Sequence, residues 1–152
     1  MRTRETLISL TEAQKQTIER SIERVAEVAG DPTGLVYARL FTEQPEMEAL
    51  FVLDTDDSAK GHMLTEALNC VFDLLGSRAY APVLIQSELT NHCNLGVPSR
   101  TFATFFRVVR DCFRDSLGSE WDEAADDAWE RMLDEIDTFI AEQASKYGME
   151  VA

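Results

Sequence analysis

His62 and His92 are the only two histidines of this sequence, and a neutral imidazole is the side chain best suited to hold a metal ion near neutral pH. His92 ends a helical stretch, with Leu89 before it, Leu95 and Val97 after it, and Asn91 placed to contact its ring or backbone. Two roles are open to it here: an ordinary surface or capping histidine at a helix C-terminus, or a ligand on a rigid helix facing an apolar cavity. Cys70, Cys93 and Cys112 fit no metal-ligand spacing, and their odd number suits a reducing compartment better than a disulfide framework. Their default role is packing, with a redox-sensitive thiol left open for Cys93 beside the histidine. The acidic run Asp54-Thr55-Asp56-Asp57 invites a calcium loop, but such a loop wants glycine at position 59 and glutamate at position 65, where the chain has Ala59 and Thr65. It reads as a solvated loop ending in Ser58 as a helix cap.

These residues must be positioned by helices, because no alternating run or Asn-Gly hairpin signal is present. Ser9 or Thr11, each with Glu12 or Gln14 three places on, can cap a first helix whose stripe is Ile18, Ile22, Val25 and Val28. Gly30-Asp31-Pro32 separates it from a second carrying Val36, Tyr37, Leu40 and Phe41, which Pro45 ends; a short piece then runs to Phe51. Leu64, Ala67, Leu68, Val71 and Leu75 mark a helix from Ala59 to Leu75, stopped by Gly76. Pro82 opens a stretch to about His92, and Ser99 can cap a long helix containing Phe102, Phe105, Phe106, Val109 and Phe113 that Gly118 closes. Ser119 can cap the last, with Trp121, Ala125, Trp129, Met132, Ile136, Phe139 or Ile140, Gln143 and Tyr147 in its stripe. This gives an all-α chain of about seven helices, which periodicity alone leaves as either a layered helical sandwich or a helix bundle.

Composition narrows the function classes. With 152 residues, 45% hydrophobic, the chain has enough for one compact core and too little for two, so one domain is expected over 1–152. A net charge of −14, with 14 basic against 28 acidic residues, excludes a phosphate backbone as partner. No apolar run approaches the roughly 20 residues a membrane span requires, and Met1-Arg2-Thr3-Arg4-Glu5 leads into no signal peptide; a soluble cytoplasmic protein is expected.

What separates sandwich from bundle is a resemblance carried by particular segments. Val36-Tyr37-Ala38-Arg39-Leu40-Phe41-Thr42-Glu43-Gln44-Pro45-Glu46-Met47-Glu48-Ala49-Leu50-Phe51 resembles, without a gap, the second and third helices of the globin family, in particular the haem domain of bacterial single-domain and flavohaemoglobin-type globins. Asn91-His92-Cys93-Asn94-Leu95-Gly96-Val97-Pro98, followed by Phe102 and Phe105, is similar to that family's proximal histidine, its corner and the start of the next long helix. Leu117-Gly118-Ser119-Glu120-Trp121, with Ala128-Trp129 after it, resembles the opening of the last helix. The resemblance covers about residues 10 to 147 and implies a three-over-three helical sandwich.

It also implies haem b with His92 as the iron ligand, and Tyr37, Phe51, Lys60 and Leu64 on the distal side. Leu68, Val71, Leu95, Val97, Phe102 and Phe105 would grip the porphyrin, contributing most of the binding energy through apolar burial. In this register Lys60 takes the place of the usual glutamine or histidine, its ammonium snorkelling toward a haem propionate or solvent. Placing His62 there instead would set Glu66 against the porphyrin as an unpaired buried carboxylate, costing several kcal/mol. Tyr37 would then donate a hydrogen bond to a bound gas, unless it is a core tyrosine tied to backbone. Phe102 and Gln143 stand where the flavohaemoglobin type carries a tyrosine and a glutamate beneath the proximal histidine, so the push from that network is not expected. The implied function is reversible binding of oxygen, nitric oxide or carbon monoxide. Nitric-oxide scavenging would need an external reductase, since the sequence ends at Ala152 without a fused one. Two other classes share the fold: a haem-based gas sensor read by a separate partner, and a haem-free interaction module.

Overall fold

In the computed structural model, which describes residues 10–148, the first helix opens on Thr11. Ser9 and the Met1–Glu5 opening, on which two of the sequence readings rest, lie outside those residues. The Thr11 hydroxyl accepts from the Gln14 amide at 3.0 Å and the Gln14 side chain accepts from the Thr11 amide at 3.0 Å, closing a reciprocal cap that starts α1, Glu12–Ala29. Helix α2, Thr33–Glu43, is followed by a 3₁₀ helix, Pro45–Phe51, with proline in its first turn, where the missing amide hydrogen costs nothing. Then come α3 (Ser58–Leu75), α4 (Ala81–Asn94), α5 (Ser99–Leu117) and, after a short 3₁₀ turn at Gly118–Glu120, α6 (Glu123–Lys146). The chain leaves α5 through Gly118 at φ +53°, a left-handed backbone conformation open to glycine.

Three of the expected caps are displaced. Ser58 and Ser99 are first residues of their helices and cap neither, and Ser119 lies in the short 3₁₀ turn. The last helix is capped by Asp122, whose carboxylate accepts from the Ala125 amide at 2.8 Å, where negative charge also suits the helix dipole. α3 is capped from further back: Asp54 accepts from the amides of Ala59 at 2.9 Å and Lys60 at 3.0 Å.

Helices α1, α3 and α4 lie across from α2, α5 and α6: α1 packs on α5 and α6, α3 on α2, and α4 on α5 and α6. This is the all-α, three-over-three arrangement of about seven helices that the resemblance implied. The buried apolar side chains join into one core. Val28, expected in the α1 stripe, is 48% exposed, and Ser21 is buried in its stead. The reason is polar: the Ser21 hydroxyl donates to the Ile18 carbonyl at 2.6 Å and accepts from the Trp129 indole Nε1–H at 2.8 Å. That bond fixes α1 against α6 where Trp129, fully buried, meets Phe113 edge-on at 5.9 Å. Ser21→Ala leaves a buried indole N–H without an acceptor and is expected to cost about 1–3 kcal/mol, read as a lowered thermal midpoint with unchanged helical circular dichroism. Among the described residues no helix is long and apolar enough to cross a membrane.

Candidate functional site

Helix α4 is anchored at its start by Asp73, whose carboxylate accepts from the amides of Tyr80 at 2.9 Å and Ala81 at 2.6 Å. At its other end Gly96, at φ +88°, turns the chain so that the Val97 amide reaches back to the His92 carbonyl at 2.9 Å. His92 is thus held on the last turn, half-buried, with its ring tilted on Phe102 at 5.0 Å between centroids. Its Nδ1 lies 2.7 Å from the Glu88 carbonyl oxygen. A carbonyl only accepts, so Nδ1 carries the hydrogen, and in the neutral ring that leaves Nε2 as the nitrogen able to bind a metal. Asn91, expected to orient the ring, is exposed; the Glu88 carbonyl one turn back does that work.

His92 lines a cavity of about 580 Å³, within the roughly 300–1,000 Å³ of small-molecule and cofactor sites. Of the residues expected there, Phe51, Leu95, Val97, Phe102 and Phe105 line it too. Tyr37 stands behind this wall, its ring 5.4 Å from Phe51 and 5.7 Å from Phe105. It is 2% exposed, and its hydroxyl has no hydrogen-bond partner among the described residues, which removes the backbone-tied alternative. Burial, and secondarily the charge of Asp54, raise its phenol well above the ordinary range, so it is a neutral donor near neutral pH.

On α3 the residues that line the cavity are not the stripe expected to grip a porphyrin. Lys60 is drawn back to the preceding loop, its Nζ 3.1 Å from Asp57, 3.4 Å from Asp54 and 5.5 Å from the centre of the Phe51 ring. Leu64 and Val71 are buried in the interhelical core and Leu68 packs against it; none of the three lies on the cavity wall. The face of α3 that does is Ala59, His62, Met63, Glu66, Ala67 and Cys70. The penalty held against this register does not arise, because Glu66 is neither buried nor alone: it accepts from the Tyr80 hydroxyl at 2.8 Å on an exposed edge. Asp54, Met63 and Cys70 were missed as wall residues, although 59, 62, 63, 66, 67 and 70 recur at helical steps as regularly as the stripe that was chosen.

The surroundings of the three thiols favour the protonated form. Burial, with Asp73 and Glu66 nearby, pushes Cys70 up to about 12, and burial raises Cys93 and Cys112 as well, so all three are protonated at neutral pH. Among the described residues no cluster of three or more His, Cys, Asp or Glu could hold a metal ion, and the cavity wall carries two imidazoles, His92 and His62.

Residues 34–140 match a protein-family model described as Globin. No curated protein matches the chain. The matched stretch, well over half of the 152 residues, runs from α2 into α6 and takes in Tyr37, Phe51, His92 and the cavity wall, and by it the chain belongs to the globin family.

Proposed function

We propose that this globin holds haem b through His92 and reversibly binds a diatomic gas, oxygen or nitric oxide, on the opposite side of the cavity. The observation that carries the reading is the His92 ring, on the wall of a largely apolar cavity and with its Nδ1 committed to the Glu88 carbonyl. Two further observations agree with it. Leu50, Leu53 and Leu95 border the cavity while 47%, 92% and 66% exposed, an apolar margin of the kind a flat macrocycle would cover. The Tyr37 hydroxyl is a buried donor without an acceptor.

Bound haem supplies the iron that takes the gas. The chain's own residues hold the imidazole in one tautomer, exclude water with Phe51, Phe102, Phe105 and Val97, and keep a neutral phenol close to the gas side. The test is the visible spectrum of the protein reconstituted with haem in the ferric, ferrous and carbon-monoxide states. Stoichiometric uptake with a Soret band that shifts on carbon monoxide is expected; no uptake would overturn the reading.

Tyr37→Phe separates the phenol's two effects. Removing a buried hydroxyl that lacks a partner is expected to stabilise the haem-free protein by about 1 kcal/mol or leave it unchanged. The same change removes the donor to the bound gas and is expected to speed oxygen release about tenfold in stopped-flow measurements, the worth of one hydrogen bond to a partly charged acceptor. Slower release, or release at the native rate, would take Tyr37 out of the site.

A further inference from the structure

Apart from the Cys70 thiol, which burial keeps protonated, every ionisable side chain lining the cavity is a carboxylate, except for His92 and His62. Asp54 is neutralised where it stands: its side chain is 5% exposed and held by two amides and the Lys60 ammonium. The other three carboxylates have no such compensation. Asp56 accepts from the Ser58 amide at 3.1 Å and Glu66 from the Tyr80 hydroxyl, while Glu88 is 40% exposed and 3.8 Å from His92 Nδ1, whose hydrogen goes to a carbonyl. None of the three is paired with a lysine or arginine among the described residues. They come from three elements that meet at the open edge: the loop before α3, α3 itself and α4. The 3₁₀ helix and α5 add only uncharged side chains to the wall. His62, when protonated, offsets at most one of the three.

From this juxtaposition, and resting on the haem reading, we infer that the cavity grips the apolar face of a porphyrin but repels carboxylates on its edge, so that it prefers a macrocycle with uncharged side groups and holds dicarboxylate haem against the charge of its own rim. The sign of the salt effect follows. An edge held by Lys or Arg loosens as salt screens the attraction, whereas an edge facing Asp56, Glu66 and Glu88 is held more firmly as salt screens the repulsion.

The test is the rate at which iron protoporphyrin, and separately its dimethyl ester, is lost to an excess of an acceptor haem protein, at ionic strengths well below and well above about 0.1 M, where the screening length is about 10 Å. Loss of the dicarboxylate is expected to slow by about fivefold with added salt, the scale of one exposed like-charge contact, and loss of the ester to stay constant. Glu66→Gln/Glu88→Gln, which keeps an acceptor for Tyr80 and leaves Asp56 as the one rim carboxylate of the three, should slow loss of the dicarboxylate by a similar factor at low salt and weaken its salt response. A dicarboxylate that is lost faster at high salt, or at one rate throughout, overturns the inference, as does a double variant that loses haem as fast as the native protein. If neither porphyrin is taken up, the haem reading fails with it; uptake of both without the salt effect overturns the rim inference alone.

Discussion

His92→Gly is expected to weaken haem retention by ~100-fold or more, since disturbing even the groups that orient a ligand costs 10–100-fold and here the proposed ligand itself is removed. The apolar wall remains, so some porphyrin should still enter, but its spectrum should differ from that of the native protein in all three states. Free imidazole should then restore it, because glycine leaves the volume of the ring empty beside Phe102. Rescue by imidazole is a readout that damage to the fold would not give. The expected protein is also less selective about the ring's orientation, having lost the tether from Nδ1 to the Glu88 carbonyl that now fixes it. A His92→Gly protein that takes up haem with the native spectrum would mean that another side chain binds the iron, and His62, on the same cavity wall, would be the one to change next.

How far the sequence could be read depended on how local each determinant was. Helices and most of their stripes were legible because they repeat at three and four residue steps, and the Tyr37 to Phe51 and Asn91 to Pro98 segments located the wall residues nearest them in sequence. The register of α3 was not legible. Two stripes on that helix have equally good periodicity, and the choice between them rested on Glu66 being buried and unpaired. Its partner, the Tyr80 hydroxyl, comes from the turn before α4, fourteen residues on, a contact no helical spacing announces. The same holds for Asp54, which caps α3 from five and six residues away, outside the three-residue window of capping signatures. It holds most of all for Glu135. Its position belongs to the inward stripe of α6 while its charge argues for solvent, and only Arg78, 57 residues earlier, resolves the conflict.

Arg78→Met is accordingly expected to destabilise the fold by about 3 kcal/mol at neutral pH, the lower end of the cost of leaving one member of a buried ion pair alone. Glu135 is 5% exposed and takes both arms of the Arg78 guanidinium, the second at 3.0 Å, and Arg78 also donates through Nε to the Leu74 carbonyl at 2.8 Å. The pair therefore ties the turn between α3 and α4 to α6. Methionine keeps the apolar stem and, like arginine, carries a Cβ at φ +62°, so backbone strain is the same in both proteins and drops out of the comparison. The pH dependence gives the diagnosis. Burial raises Glu135 above the ordinary carboxylate range and Arg78 pulls it only part of the way back. A carboxyl higher in the folded than in the unfolded chain favours the fold while protonated and loses that contribution as pH rises through the folded value. Without Arg78 the folded value climbs further, so the deficit of the variant should be largest at pH 7 and shrink toward pH 4.5, where Glu135 becomes neutral. Adding Glu135→Gln to Arg78→Met removes the charge at every pH and should recover much of the loss at pH 7. Denaturant unfolding of the four proteins of this cycle at both pH values decides the matter: a deficit that is the same at pH 7 and pH 4.5, or that Glu135→Gln leaves untouched, would mean that the arginine contributes through its bond to Leu74 and its packing rather than through the buried carboxylate.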